Sequence, residues 1–304
     1  MKALNNIAEK NIIFFDIETA RAEKVLMLDT PTFNAWAYSK RKKEPNMTDI
    51  DIITSYQSAA SLFPEYSRVV SVVLGVIRNN QILTMTYDDL DEKKLLTGVV
   101  NHFTKLVEDN PRVVLSGWNI KNFDMPFLFK RMVINGISPH ALVDTGGDKP
   151  WEITAIDLME LWKTGFSPTS LLSAATAFGL PSPKDDIDGS QVSEVFWSEG
   201  VSRISEYCVR DVVTTVNVYR KMCLKTPLKP AKVLKEIVTE KLPLLSHLFE
   251  GGKYGAKEKK ELQSKFSKLS DSEKPKARVI LNAMVSTAKG KKTSLTKKDV
   301  KELC

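Results

Sequence analysis

Two acidic side chains close an apolar run near the start of the chain. Asp16 and Glu18 follow Asn11-Ile-Ile-Phe-Phe15, a run whose length and composition predict a buried strand. Alternate residues of a strand point to one face, so the two carboxylates should emerge side by side. Two like charges there cost free energy unless a cation neutralises them, and carboxylate oxygens suit Mg2+ or Mn2+. Alone, the pair also fits a strand end that runs into solvent.

Two later segments supply further chemistry-bearing residues. Asp124 should lie at the start of a helix directly after the strand predicted at 112–118, where sites in such sheets gather. Tyr207 and Asp211 are four residues apart in a helix predicted at 201–224, and therefore share one face. Several valines follow Asp211, which indicates that this helix packs on the sheet and that the acid is not merely solvated.

The elements that must position these residues form an α/β pattern. Strand, hairpin, helix, strand, helix, strand and helices follow one another, which predicts a mixed sheet flanked by helices. Residues 20–66 depart from the pattern and read as an insertion or long loop with a helix or two. The insertion carries the basic run Lys40–Lys43 and is expected to lie near the mouth of a site. The predicted hairpin pairs 68–78 with 81–87 through a turn at Asn79-Asn80.

Composition describes a protein of 304 residues with 42% hydrophobic and 27% charged residues. No apolar run approaches the roughly twenty residues that span a bilayer, and the first residues lack an apolar signal core. The three cysteines have no metal-ligand spacing and are too few for a disulfide framework. We therefore expect a cytoplasmic protein without a membrane partner.

Charge is divided unevenly along the chain. Residues 225–304 hold 20 Lys and Arg against 9 Asp and Glu, whereas residues 1–224 hold 24 against 28. A basic extension beside a mildly acidic domain predicts a polyanionic partner. A solvated, partly disordered tail fits the same composition equally well.

The three segments together resemble a known family. Asp-x-Glu on a first strand, Asn-x-x-x-Phe-Asp after a middle strand and Tyr-x-x-x-Asp on a late helix are the motifs of the DEDD (DnaQ-like) 3′–5′ exonucleases. The resemblance covers about residues 11–224 and is closest to the proofreading domain of family B DNA polymerases and its stand-alone relatives. Lys149–Asp157 and Pro183–Gly189 are also similar to the stand-alone group.

The resemblance implies an RNase H-like domain over residues 1–224, with 225–304 as a basic extension that is helical or partly disordered. It implies a 3′–5′ exodeoxyribonuclease that acts on single-stranded DNA and releases 5′-mononucleotides with two divalent ions, Mg2+ or Mn2+. The catalytic residues would be Asp16, Glu18, Asp124, Tyr207 and Asp211, of which the four acids would bind metal. The substrate-binding residues would be Ile17, Thr19, Asn119 and Phe123.

A tyrosine rather than a histidine marks the branch within this superfamily. The branch with a catalytic histidine carries it five residues before the last aspartate, and here that position is Glu206. The chain is therefore similar to the tyrosine (DEDDy) branch. Two alternatives remain open. The chain could be an exoribonuclease, or a non-catalytic nucleic-acid-binding adaptor that works with replication or repair proteins.

Overall fold

The structure is a computed structural model that describes residues 4, 7–149, 151–165, 167–184, 186–230, 260, 263–264 and 266–267. The chain divides into two units, Met1–Pro230 and Ala231–Cys304. Apart from residues 225–230 and the few positions from 260 onward, the predicted basic extension lies outside the described residues. In the part that is described, no helix is both long and apolar enough to cross a membrane.

The described part of the first unit is built on a five-stranded sheet with helices on both faces. The strands are β1 (Ile12–Arg21), β2 (Ser67–Arg78), β3 (Gln81–Asp88), β4 (Val114–Gly117) and β5 (Ala155–Asp157). The α-helices are α1 (Pro31–Arg41), α2 (Asp49–Ala59), α3 (Glu92–Asp109), α4 (Asp124–Ile134), α5 (Leu158–Trp162), α6 (Leu171–Ala177), α7 (Val192–Glu199) and α8 (Ser202–Met222).

Strand β1 lies at the centre of the sheet, whose order is β3-β2-β1-β4-β5. It pairs antiparallel with β2 and parallel with β4, while β2 and β3 are antiparallel and β4 and β5 parallel. The predicted mixed sheet flanked by helices is therefore confirmed. Strand β1 is apolar at every position from Ile12 to Phe15 because both of its faces are buried.

The two faces of β1 pack in two separate layers. Ile13, Phe15 and Ile17 belong to one core cluster together with apolar residues of α3 and α4. Ile12 and Phe14 belong to a second cluster, with residues of α6 and α8. Since alternate residues share a face, Asp16 and Glu18 continue the row that faces α8.

The predicted hairpin is present, and the segment predicted as an insertion contains two α-helices after its first two residues, which belong to β1. Asn79 and Asn80 have φ of 50° and 58°, the left-handed conformation that a tight type I′ turn requires at both positions. The insertion contains α1 and α2, whose N-caps are Thr30 and Thr48. The two helices form a small core of their own. Its fully buried large side chains are Leu26, Trp36, Ile52 and Tyr56.

Candidate active site

The acidic end of β1 is shaped by an irregularity in the sheet. Asp16 is half-buried and Glu18 is buried, on the face of β1 that α8 covers. Pairing with β2 shifts register directly after Glu18, because Glu18 opposes Ser71 whereas Thr19 opposes Val69. A bulge of this kind bends a strand and re-aims the side chains beside it.

Asp124 reaches β1 from the helix that begins with it. Parallel pairing of β1 with β4 ends at Phe14 and Ser116, so the N–H of Ile17 has no strand partner on that side. Asp124 Oδ1 accepts a hydrogen bond from this N–H at 3.1 Å. Asp124, the first residue of α4, is thereby fixed beside Ile17, the residue that separates Asp16 from Glu18 on β1.

Helix α8 brings a tyrosine, a cysteine and the fourth acid to the same place. Cys208 Sγ lies 3.3 Å from Asp16 Oδ2, and one ligand atom each of Asp16, Glu18 and Cys208 lie within 4.8 Å of one another. Tyr207 is buried, and its side chain lies one helical turn before Asp211, close enough for each group to shift the pKa of the other. Among the described residues, the buried oxygen Asp211 Oδ1 has no hydrogen-bond partner.

The four carboxylates are close enough to perturb one another. Burial raises the pKa of Asp16 well above its usual range, and the charges of Asp124, Glu18 and Asp211 raise it further. The pKa of Glu18 is also raised, first by burial and then by the charges of Asp211 and Asp124. Burial raises the pKa of Asp124 to about 7 and that of Asp211 to about 6. The arrangement is costly for a protein without a compensating cation.

These donors fit a divalent cation. Ligand atoms of Asp16 and Glu18 lie within 4.8 Å of each other, and Asp124 and Asp211 are close enough for their charges to raise the pKa of both. One oxygen of Asp211 is buried without a partner, and carboxylate oxygens are the ligands that Mg2+ and Mn2+ prefer. Cys208 is not expected to coordinate, because burial and the charge of Asp16 raise its pKa well above the usual range and keep the thiol protonated. It acts as a hydrogen-bond donor to Asp16.

A lysine that the sequence did not reveal flanks the acids. Lys184 lies in the loop before α7, and its charge lowers the pKa of both Glu18 and Asp211. It is exposed, so its ammonium group is available to a ligand entering the site. Nothing in the spacing of residues 181–189 indicates this position; only the fold brings the loop to β1 and α8.

Two of the predicted substrate-binding residues lie in the turn that leads into α4. Asn119 has φ of 66°, and Asp157 Oδ1 accepts a hydrogen bond from its N–H at 3.0 Å. Asp157 Oδ2 accepts another from the N–H of Lys121 at 3.1 Å, so this buried acid holds the whole turn before α4. Phe123 is partly buried, with its ring 5.1 Å from that of Phe127.

The other two predicted substrate contacts lie on β1 itself. The N–H of Ile17 is already engaged by Asp124. Thr19 Oγ1 donates to the carbonyl of Ser61 at 2.8 Å, which ties β1 to the end of the insertion. The structure therefore brings all nine predicted site residues into one region around β1, α4 and α8, and their roles remain predictions.

Comparison with known proteins identifies the class of protein that this fold and site define. Residues 35–249 match the model of a family described as "Predicted 3'-5' exonuclease related to the exonuclease domain of PolB". The match includes Asn119, Asp124, Tyr207 and Asp211 and begins after the Asp-x-Glu pair of β1.

The chain belongs to this family of 3′–5′ exonucleases. Over 157 residues it is 24% identical to a protein of Frog virus 3 (isolate Goorha) assigned as a DNA polymerase, 060R, with 43% of this chain and 15% of the viral protein covered. The family B DNA polymerase of the hyperthermophilic archaeon Pyrobaculum calidifontis resembles it with a TM-score of 0.43 and 15% identity, over 84% of this chain and 29% of the polymerase. The chain thus spans less than a third of either polymerase.

Proposed function

We propose that this chain is a 3′–5′ exodeoxyribonuclease of the tyrosine branch, which shortens single-stranded DNA from its 3′ end and releases 5′-mononucleotides. The observation that carries the proposal is the convergence of Asp16, Glu18, Asp124 and Asp211 beside the buried Tyr207. Asp16, Glu18, Asp124 and Asp211 would hold two divalent ions, Mg2+ or Mn2+. When bound, such a pair supplies an activated water and stabilises the departing 3′-oxygen.

Tyr207 is suited to orient the attacking water rather than to deprotonate it. Burial and the charges of Glu18 and Asp211 raise its pKa above the ordinary value, so the hydroxyl stays protonated at neutral pH. A protonated hydroxyl can donate one hydrogen bond and accept another, which fixes the position of a water molecule.

The residues around the acids would hold the end of the strand. Asn119 and Phe123 would contact the terminal nucleotides, Phe123 with its partly exposed ring, and backbone groups of Ile17 and Thr19 would meet the 3′ end. Lys184 adds a positive charge near Glu18 and Asp211, which suits a phosphate that must approach four carboxylates. Residues 1–224 would form the exonuclease domain, and 225–304 would contact the DNA backbone.

Digestion of end-labelled strands tests the proposal. Incubated with Mg2+ or Mn2+, the protein should shorten a 5′-labelled DNA strand stepwise and release 5′-mononucleotides. Asp16→Ala should abolish the products, and Tyr207→Phe should reduce the rate about a hundredfold, the typical cost of losing the correct position of a reacting group. Glu206→Gln is the matched control, since Glu206 is the exposed neighbour at the position of the other branch's histidine.

The same assay separates the alternatives. A matched RNA strand degraded faster than DNA would make the protein an exoribonuclease. Strands that are bound but left intact by the wild type would make it an adaptor for replication or repair proteins. Full activity of Tyr207→Phe would remove the protein from the tyrosine branch. Cell fractionation tests the cytoplasmic location that we infer from composition.

A further inference from the structure

A short segment at the end of the insertion is fixed to two of the three elements that supply acids to the site. The carbonyl of Ser61 accepts a hydrogen bond from Thr19 Oγ1 at 2.8 Å, one residue beyond Glu18 on β1. The carbonyl of Pro64 accepts one from Arg131 Nη1 at 2.7 Å, on the helix that begins with Asp124. Residues 61–64 are therefore held beside the candidate active site at both ends.

Between these two anchors, apolar side chains are presented to solvent. Leu62 is 58% exposed and Phe63 is 41% exposed. Their backbone is not loose, because the N–H of Phe63 donates to Ala60 at 3.0 Å and its carbonyl accepts from Ser67 Oγ at 2.6 Å. Single exposed apolar residues are ordinary, but an adjacent pair held on a rigid backbone beside a site indicates a contact surface.

Cations lie against the same surface. Lys40 Nζ is 5.8 Å from the centroid of the Phe63 ring and 4.4 Å from that of Trp36. The Phe63 and Trp36 rings meet edge to face at 5.4 Å, so the aromatic side of the surface is itself supported. Lys42 and Lys43 follow at the end of α1 and are exposed.

Apolar and aromatic side chains interleaved with lysines are the recognition chemistry of unpaired nucleotides. Bases stack on the exposed rings in a way that tolerates any sequence, and the ammonium groups neutralise the phosphates. A folded protein partner would also use Leu62 and Phe63, but it would not by itself require a lysine over the Phe63 ring with two exposed lysines directly after the same helix. Charge complementarity favours the polyanion.

We propose that Leu62, Phe63 and Lys40 form a platform for single-stranded DNA, on which bases upstream of the scissile bond stack while Lys42 and Lys43 contact the phosphates. The platform rests on the proposed function for the identity of its occupant, and it adds a binding surface that none of the sequence motifs contains. It would make affinity depend on nucleotides that are not cleaved.

Fluorescence anisotropy with a 5′-fluorescein-labelled dT12 strand tests the platform on the full-length protein, in EDTA so that no strand is consumed. Phe63→Ala should weaken binding about 5- to 150-fold, the range that one lost base-stacking contact gives, and Leu62→Ser should weaken it through the lost apolar contact. Phe63→Trp should retain affinity, and its fluorescence should be quenched by the strand. Val133→Ser is the matched control, because Val133 is 54% exposed on α4 and lies outside the platform.

The variants also differ in how strongly they could affect folding. Phe63 packs against Trp36, so Phe63→Ala is compared with Leu62→Ser, whose side chain has no such ring contact. Wild-type thermal unfolding of Leu62→Ser together with weakened binding supports the platform. Wild-type binding by folded Leu62→Ser and Phe63→Ala overturns it.

Two further arms separate the platform from the proposed function. Hydrolysis of the p-nitrophenyl ester of thymidine 5′-monophosphate by the wild type tests the acidic site alone, and its failure would count against the proposed function while dT12 binding still decides the platform. If the variants weaken binding to an rU12 strand but leave binding to dT12 unchanged, the assignment to DNA is overturned.

The salt dependence of binding tests the two lysines. In the double variant Lys42→Gln/Lys43→Gln, the negative slope of log affinity against log salt concentration should become less steep by about 1.4, and an unchanged slope would exclude both lysines as phosphate contacts.

Discussion

The acids of the candidate site are held where their charged forms are disfavoured. Burial raises the pKa of all four, to about 7 for Asp124 and about 6 for Asp211, and repulsion from neighbouring acids adds to the shift of Asp16, Glu18 and Asp124. Without a cation the fold therefore loses stability in order to keep these carboxylates together. Such a conflict between stability and local arrangement is typical of functional sites.

Replacing Asp124 by Asn should stabilise the protein in the absence of metal. In the unfolded chain this acid releases its proton near pH 4, but in the fold it does so near pH 7. The protonated carboxyl group of Asp124 therefore stabilises the folded protein fully below about pH 4, and this contribution to the free energy of unfolding is lost as the pH rises toward 7. Asn cannot ionise, yet its oxygen can still accept the Ile17 hydrogen bond. We expect Asp124→Asn to gain more than about 1 kcal/mol at pH 8 in EDTA, since one pKa unit corresponds to about 1.4 kcal/mol.

Urea unfolding at pH 5 and pH 8, with EDTA or with Mg2+, measures this effect. Mg2+ should stabilise the wild type and have less effect on Asp124→Asn, because the variant has lost one candidate ligand. Asp186→Asn serves as the control, since Asp186 forms an exposed ion pair with Arg203. A variant less stable than the wild type at pH 8 in EDTA would contradict the account.

At the scale of elements, a close approach between α8 and the sheet sets the position of Asp211. A Cβ added at Gly75 of β2 would lie 2.6 Å from Val212 Cγ1, and Val212 directly follows Asp211. Gly75→Ala should therefore push α8 outward, lower the free energy of unfolding by about 1–3 kcal/mol and reduce nuclease activity. Urea unfolding and digestion of a labelled strand measure the two effects.

A second substitution shows whether the space at Gly75 is the cause. Gly75→Ala combined with Val212→Ala should recover part of the activity, because the smaller side chain on α8 makes room for the new methyl group. Gly189→Ala, where an added Cβ meets nothing within 4 Å, is the control for a glycine substitution in open space. If the double variant is no more active than Gly75→Ala alone, crowding does not explain the loss.

A buried ion pair joins α3, α4 and the strand β2. Glu92 accepts hydrogen bonds from Arg131 Nε at 2.9 Å and from the N–H of Val69 at 2.7 Å, and both charged residues are buried. Glu92→Ala should destabilise the protein by about 3–5 kcal/mol, because the charge of Arg131 is left buried without its partner. Replacing both residues, as Glu92→Leu/Arg131→Met, should be less harmful than Glu92→Ala alone.

Chemical denaturation measures both variants beside Arg203→Met. Arg203 pairs with Asp186 and Glu199 in solvent, so its loss is expected to change stability by less than about 1 kcal/mol. If Glu92→Ala lowers the free energy of unfolding as little as Arg203→Met does, the Glu92–Arg131 pair does not hold α3 and α4 together. The double variant keeps no guanidinium to hold Pro64, so it also reports on the segment that carries Phe63.

At the scale of the whole molecule, sequence patterns predicted elements whose signals are local. Strand β1, the Asn79-Asn80 hairpin and helix α8 follow from runs of apolar residues and turn chemistry, and the structure contains each of them. Residues brought to the site only by tertiary packing could not be found in this way. Cys208 and Lys184 are of this kind, as their approach to Asp16 and Glu18 depends on how α8 and a loop are placed.

The end of the first unit is likewise set by tertiary contacts that the sequence pattern does not indicate. Helix α8 ends at Met222, yet the chain beyond it continues to contact the domain. Asn217 and Leu228 exchange two hydrogen bonds, at 2.8 and 3.1 Å, and the carbonyl of Lys229 accepts one from the N–H of Ile82 at 3.2 Å. A proline after the helix predicted a boundary near 224, while these bonds extend the packed chain to 230.

Two truncations distinguish these boundaries. Residues 1–230 should fold cooperatively and retain metal-dependent hydrolysis, whereas residues 1–224 should be less stable by about 1–3 kcal/mol, because they lack the partners of Asn217 and Ile82. Residues 231–304 carry 18 Lys and Arg against 9 Asp and Glu, so their removal should weaken binding to single-stranded DNA and flatten its salt dependence. Urea unfolding, strand digestion and anisotropy at several salt concentrations measure these outcomes. If chain 1–230 binds DNA with an unchanged salt slope, the basic extension does not contact the DNA backbone.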